Sequence, residues 1–157
     1  MGKLAIGQVA PDFALANQDG KVVRLADFSG QKLVIYFYPK DNTPGCSREA
    51  EGFRNLHDKI VAAGAQVVGI SKDSISSHAK FRTKLQLPFD LLSDTEHSVL
   101  EAYGAWGTKT MYGKTSEGTI RSTVVVDEEG RVAAVFAKVK PDGHAQEVLA
   151  VLASLSD

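Results

Sequence analysis

Cysteine is almost absent: Cys46 is the only one in 157 residues. One thiol cannot close an internal disulfide, which excludes a disulfide-stapled scaffold, and with no Cys-x-x-Cys a thioredoxin-type exchanger is excluded as well. A free thiol suits a reducing compartment, so a cytoplasmic location is the expectation. Long apolar runs are also missing. The longest, LVIYFY at 33–38, falls far short of the roughly 20 residues that span a bilayer. The opening MGKLAIGQ lacks an apolar signal region, and Ile6 stands where a myristoylation motif requires Ser or Thr. There is no excess of either charge: 18 basic and 19 acidic residues give a net charge of −1. The basic residues form no block, which argues against nucleic acid or an anionic membrane as a main partner. The four histidines, His57, His78, His97 and His144, are scattered and read as surface residues; no metal site is expected. Nothing local ties any of them to Cys46, which weakens a Cys-His hydrolase.

What remains is an ordinary globular composition, 43% hydrophobic and 24% charged, enough for one domain over 1–157 with a real core. Two short apolar runs flank Asp19-Gly20 within 13–25, a hairpin signal. LVIYFY is β-branched and aromatic and too short for a helix, so it reads as a buried central strand. After Cys46, the apolar residues Ala50, Phe53, Leu56, Ile60 and Val61 recur at helical spacing and predict one helix ending before Gly64. Strands follow at 66–71 and 89–93, with helices over 75–85 and near 97–103. The segments 119–127 and 131–137 flank Glu129-Gly130 as a second hairpin, and 144–155 closes the chain as a helix. Alternating β and α elements imply parallel strands with right-handed crossovers, and the last hairpin supplies an antiparallel edge. The fold class expected is α/β: a thioredoxin-like order with an N-terminal β-hairpin extension, and a central mixed sheet flanked by helices.

The chemistry concentrates at the first strand-to-helix turn. Pro44 suits the first helical position, where its missing N–H is no loss. Thr43 is then the N-cap, with its hydroxyl expected to accept from the N–H of Gly45 or Cys46. Cys46 falls in the first turn, at the positive end of the helix dipole, which favours the nucleophilic thiolate. At such a position a thiol gains about thirtyfold in thiolate at neutral pH, about 2 kcal/mol. A fast enzyme would need further groups that bind and polarise its substrate. Position alone leaves a second reading open, because cysteine is often buried and Cys46 shares a helical face with Ala50, Phe53 and Ile60.

The run Pro39-Lys-Asp-Asn-Thr43-Pro-Gly-Cys46 resembles the Pro-x-x-x-Thr-x-x-Cys signature of peroxiredoxins. YFYPKDNTPGC is similar to the bacterioferritin comigratory protein, or PrxQ, branch of that family. GQVAPDF (7–13), GISKDS (69–74), LLSD (91–94), WGTKTMYGK (106–114) and GTIRSTVVVDEEG (118–130) follow in family order. The resemblance implies a thiol-dependent peroxidase for antioxidant defence, in which Cys46 attacks hydrogen peroxide or an organic hydroperoxide and becomes a sulfenic acid. It implies that Thr43 binds peroxide and sulfur, that Pro39 shields the site, and that Arg121 stabilises the thiolate and the polarised O–O bond. Without it, Arg121 reads as an exposed strand charge. Glu49 would orient Arg121, its plain reading being a favourable charge in a helix first turn, and Gly45 would support the substrate site. No metal, haem or flavin cofactor is implied.

One feature departs from the family pattern. Many PrxQ proteins carry a resolving cysteine five residues after the first, and others carry one on the next helix. Here those places hold Glu51 and, near the second, Arg82. The sulfenic acid would therefore be met by an external thiol: glutathione, glutaredoxin or thioredoxin. A monomer is expected. The rival reading is a peroxide sensor or redox-regulated binding module that oxidises without efficient turnover.

Overall fold

The computed structural model describes residues 4–155; residues 1–3 and 156–157, the ends of the expected domain, lie outside the described residues. Strand β3 (Lys32–Phe37) is buried along its whole length, as the apolar run from Leu33 to Phe37 requires of a strand covered on both faces. It pairs in parallel with β4 (Ala65–Ser71), which pairs in parallel with β5 (Asp90–Ser93). On the other side β3 pairs antiparallel with β8 (Ser122–Val126), and β8 with β9 (Val132–Phe136). The N-terminal hairpin of β1 (Ala14–Ala16) and β2 (Val22–Arg24) extends the sheet at β5, for a strand order β2-β1-β5-β4-β3-β8-β9. The α/β class, the mixed sheet and both hairpins agree with the sequence expectation.

The two-residue period of β3 divides the core. Val34, Tyr36 and Tyr38 point to one face, where Phe53, Ile60, Phe81, Val148 and Leu152 pack on them from helices. These helices are α1 (Pro44–Asn55), α2 (His57–Ala62), α3 (Ile75–Leu85) and α5 (His144–Leu155). Leu33, Ile35 and Phe37 point to the other face, against Phe13, Tyr103 and the residues Val99 and Leu100 of α4 (Ser98–Ala102). The floor beneath α1 is aromatic: Tyr36 stacks on Phe53 with centroids 4.8 Å apart and on Tyr38 at 5.4 Å. Each such pair adds about 0.5–1.5 kcal/mol beyond its area burial. Tyr36 also fixes Gly69 across the sheet, because a Cβ there would lie 2.8 Å from the tyrosine ring.

Three elements differ from expectation. The single helix predicted between Cys46 and Gly64 is divided, because Leu56 has ψ 5°, outside the α range. Phe53, Leu56 and Ile60 still pack on the same core, so the apolar period does not register the bend. A two-stranded ribbon, β6 (Trp106–Met111) and β7 (Lys114–Thr119), stands outside the main sheet. Its polar sequence carries no apolar alternation, and only Tyr112-Gly113, both at positive φ, mark the turn. The strand expected over 119–127 is consequently split: Thr119 ends β7, Ser122 begins β8, and Ile120 and Arg121 lie between. No helix among the described residues is long and apolar enough to cross a membrane.

Candidate active site

Helix α1 begins at Pro44, as its missing N–H allows, with Thr43 as N-cap. The cap forms differently from the expectation. The Thr43 hydroxyl makes no capping bond and instead donates to the Lys40 carbonyl at 2.9 Å, while the Thr43 carbonyl accepts from the Ser47 N–H at 2.8 Å. The hydroxyl thus closes the Lys40–Thr43 loop on itself and leaves the N–H groups of Gly45 and Cys46 free of it. Pro39 and Thr43, at the two ends of this loop, are half-buried. Cys46, in the first turn, is 1% exposed.

Arg121 reaches Cys46 across 75 positions of sequence: its Nη2 donates to Sγ at 3.3 Å, and its Nη1 donates to Glu49 Oε1 at 2.6 Å. The exposed-charge reading of Arg121 is thereby corrected, since its side chain is only 16% exposed. The reading of Glu49 as a first-turn charge also fails. It lies one turn further along α1, fully buried, on the side that faces Arg121. Gly45 fits because of the same guanidinium: a Cβ there would stand 3.2 Å from Arg121 Nη2 and 3.3 Å from Pro141. The segment carrying Pro141 walls this side of the site, held by Val139 N–H to the Arg121 carbonyl at 3.0 Å and by an Arg48–Asp142 ion pair at 2.8 Å. Of the six residues singled out by sequence, Cys46, Glu49, Arg121 and Gly45 are in one contact group, and Thr43 and Pro39 lie on the loop that feeds it.

Burial pushes the Glu49 carboxyl up to about 7, against the opposing pull of Arg121; its second oxygen, Oε2, is buried without a hydrogen bond. Because the folded value lies above the ordinary 4.5, the native state keeps a proton that the unfolded chain releases between pH 4.5 and 7. Stability from this group therefore falls as pH rises through that window, by on the order of 3 kcal/mol. His144 works the other way: burial lowers it to about 4, so its contribution is lost as pH falls from about 6.5 toward 4. Denaturant unfolding of wild type and Glu49→Gln at pH 5 and pH 8 isolates the first effect. The variant is expected to gain on the wild type by about 2–3 kcal/mol between the two pH values; a constant difference would contradict the buried, proton-binding state of Glu49.

Two histidines read as surface residues are buried, His78 at 0% and His144 at 1%. His144 Nε2 lies 2.8 Å from Thr123 Oγ1, and its ring meets Phe53 and Phe136 edge-on. His78 could have been found from spacing, because with Phe81 and Leu85 it forms the buried face of α3. Among the described residues, one group places metal-ligating atoms together: Asp41, Asp73 and His78, within 4.8 Å of one another. Its carboxylates are already engaged by protein donors, Asp41 by Tyr38 and Ser77 and Asp73 by Ser71.

A profile of the AhpC/TSA family matches residues 6–135. The chain is 44% identical to peroxiredoxin Bcp of Bacillus subtilis, over 98% of this chain and 98% of that protein. It is 43% identical to peroxiredoxin Bcp of Escherichia coli, over 95% and 96%. Among solved structures, a bacterioferritin comigratory protein of Xanthomonas campestris, described for its alkyl peroxide reduction activity, superposes with a TM-score of 0.88 at 39% identity, covering 92% of each chain. A PrxQ mutant of Xylella fastidiosa superposes with a TM-score of 0.94 at 34% identity over the whole of both chains.

Proposed function

The chain belongs to the AhpC/TSA family, in its bacterioferritin comigratory protein (PrxQ) branch, and is a thiol-dependent peroxidase of thioredoxin-like fold; on that footing we propose that Cys46 is its nucleophile and that it works with one cysteine. The observation that supports this most directly is the contact of Arg121 Nη2 with Cys46 Sγ at 3.3 Å, with Nη1 anchored on buried Glu49. A guanidinium held in that orientation stabilises negative charge on sulfur and can bind the peroxide oxygens beside it.

In the first step the Cys46 thiolate attacks the terminal oxygen of the hydroperoxide. An S–O bond forms as the O–O bond breaks, sulfur is oxidised by two electrons, and the leaving oxygen takes a proton to become water or an alcohol. Thr43 binds the peroxide over the same turn, Pro39 keeps water out, and Gly45 leaves room for the guanidinium. The sulfenic acid then condenses with an external thiol, releasing water and leaving a mixed disulfide. A second thiolate attacks the external sulfur, frees Cys46 and departs as a disulfide. Each cycle consumes one peroxide and two thiols. Glu51 stands at the first of the family's resolving positions and Arg82 near the second, where it is engaged with the Phe89 carbonyl at 3.0 Å. Hydrogen peroxide and small organic hydroperoxides are the substrates, and glutathione, glutaredoxin or thioredoxin is the reductant. We assign the protein to antioxidant defence in the cytoplasm, as a monomer folded as one domain over 1–157.

Steady-state peroxide consumption with each thiol in turn tests this reading. Continuous turnover with at least one of them is expected. Oxidation that stops after one equivalent would instead support a peroxide sensor or redox-regulated binding module.

A further inference from the structure

The loop that carries Pro39 and Thr43 is tied to α3 and to the turn after β4. Asn42 has φ 61°, a left-handed conformation that asparagine adopts more readily than other non-glycine residues. Helix α3 and the turn after β4 hold the loop there. The Asp41 N–H donates to Asp73 Oδ2 at 2.9 Å, and Lys84 Nζ donates to Asn42 Oδ1 at 2.6 Å. The Asp41 side chain, 6% exposed, turns inward. Its Oδ1 accepts from Tyr38 Oη at 2.6 Å, and its Oδ2 accepts from Ser77 Oγ at 2.8 Å and lies 2.7 Å from His78 Nδ1.

His78 is in turn fixed by its other nitrogen. Nε2 lies 3.0 Å from the Leu92 carbonyl, an acceptor only, so Nε2 carries a hydrogen. A proton then also lies between Nδ1 and Asp41 Oδ2, since two bare lone pairs would repel at 2.7 Å. A buried polar pair of this kind is weak as a source of stability, because an apolar pair of the same volume often does as well. What it supplies is one defined geometry, and the geometry here belongs to the loop in front of Cys46. We propose that Asp41 and His78 form a buried buttress that sets the position of the 39–43 loop, and through it Thr43, for the peroxide step. Both are positioning residues, and neither touches the reacting atoms. The inference rests on the peroxidase reading above.

Two substitutions of one residue separate this role from packing. In His78→Asn the side-chain amide nitrogen stands where Nδ1 stood and keeps a donor to Asp41. In His78→Gln it stands where Nε2 stood, keeping the donor to Leu92 and losing Asp41. Both remove the ring and are expected to lower the unfolding midpoint by similar amounts. In rapid-mixing measurements of Cys46 oxidation by hydrogen peroxide, His78→Gln is expected to be slower by tenfold or more, as small misplacements of a catalytic group are. His78→Asn is expected to stay within about threefold of wild type on the same reasoning. Equal slowing of both variants, or wild-type rates in both, overturns the buttress. Should neither variant fold, Ser77→Ala, which removes one half-buried bond to Asp41, decides: a severalfold slower oxidation supports the inference and an unchanged rate overturns it. A wild-type Cys46 inert to peroxide would defeat the peroxidase reading itself.

Discussion

Replacing Cys46 by serine is expected to reduce thiol-dependent peroxide consumption to the uncatalysed background while leaving the fold intact. The chain holds no other thiol, so no second sulfur can substitute. A serine hydroxyl is scarcely ionised at neutral pH even beside a guanidinium, and it cannot form a sulfenic acid. The change is structurally small. Oxygen replaces sulfur within the first turn of α1, above the stack of Tyr36 and Phe53, and Arg121 retains an acceptor at that point. Stability is therefore expected to change by about 1 kcal/mol or less. A folded Cys46→Ser protein that still turned over peroxide would place the chemistry elsewhere.

Arg121→Met is expected to slow oxidation of Cys46 by about 10²–10³-fold, the usual loss when one preorganised donor to a developing charge is removed. Two effects combine. The thiolate loses the donor now at 3.3 Å from Sγ, and the polarised O–O bond loses the cation beside it. Methionine keeps much of the arginine's volume, so the packing against Gly45 and Pro141 is largely spared. The Glu49 carboxylate loses the one side-chain partner it has among the described residues, and burial then favours its neutral form, which limits the cost to stability. Arg121→Lys is expected to recover only part of the rate, because one ammonium cannot bridge Glu49 and Cys46 as two guanidinium nitrogens do. An oxidation rate for Arg121→Met within a few fold of wild type would remove Arg121 from the site.

The place of Cys46 in the first turn of α1 was legible in local sequence, from a proline in the first helical position with the cysteine two residues after it. That pattern left a structural cysteine equally open, and the family resemblance decided for the nucleophile. Arg121 was not legible. It lies 75 residues from Cys46 between two strands, and an isolated arginine has no spacing to betray it; only the family resemblance carried it. Glu49 sits between these cases: its place on α1 was readable, its burial was not, because that depends on which side Arg121 approaches from. The elements with clear apolar periods, β3, α3 and α5, stood out in the sequence. The β6–β7 ribbon and the bend at Leu56 did not, since the first has no apolar alternation and the second leaves the apolar period undisturbed. The direction of the Thr43 hydroxyl was missed because a threonine beside a helix start can accept from the helix or donate to its own loop, and the loop carbonyl of Lys40 decided between them.

The central claim, a single peroxide-reactive thiol resolved from outside, is tested most directly by intact-protein mass spectrometry. The wild-type protein is oxidised with one equivalent of hydrogen peroxide and then met, in separate samples, by one equivalent of glutathione, glutaredoxin or thioredoxin. The result predicted is one adduct per chain, on Cys46, with at least one of the three thiols, and it disappears when more thiol is added. An oxidised Cys46 that takes up no thiol, or a covalent dimer through two Cys46 residues as the main product, would contradict it.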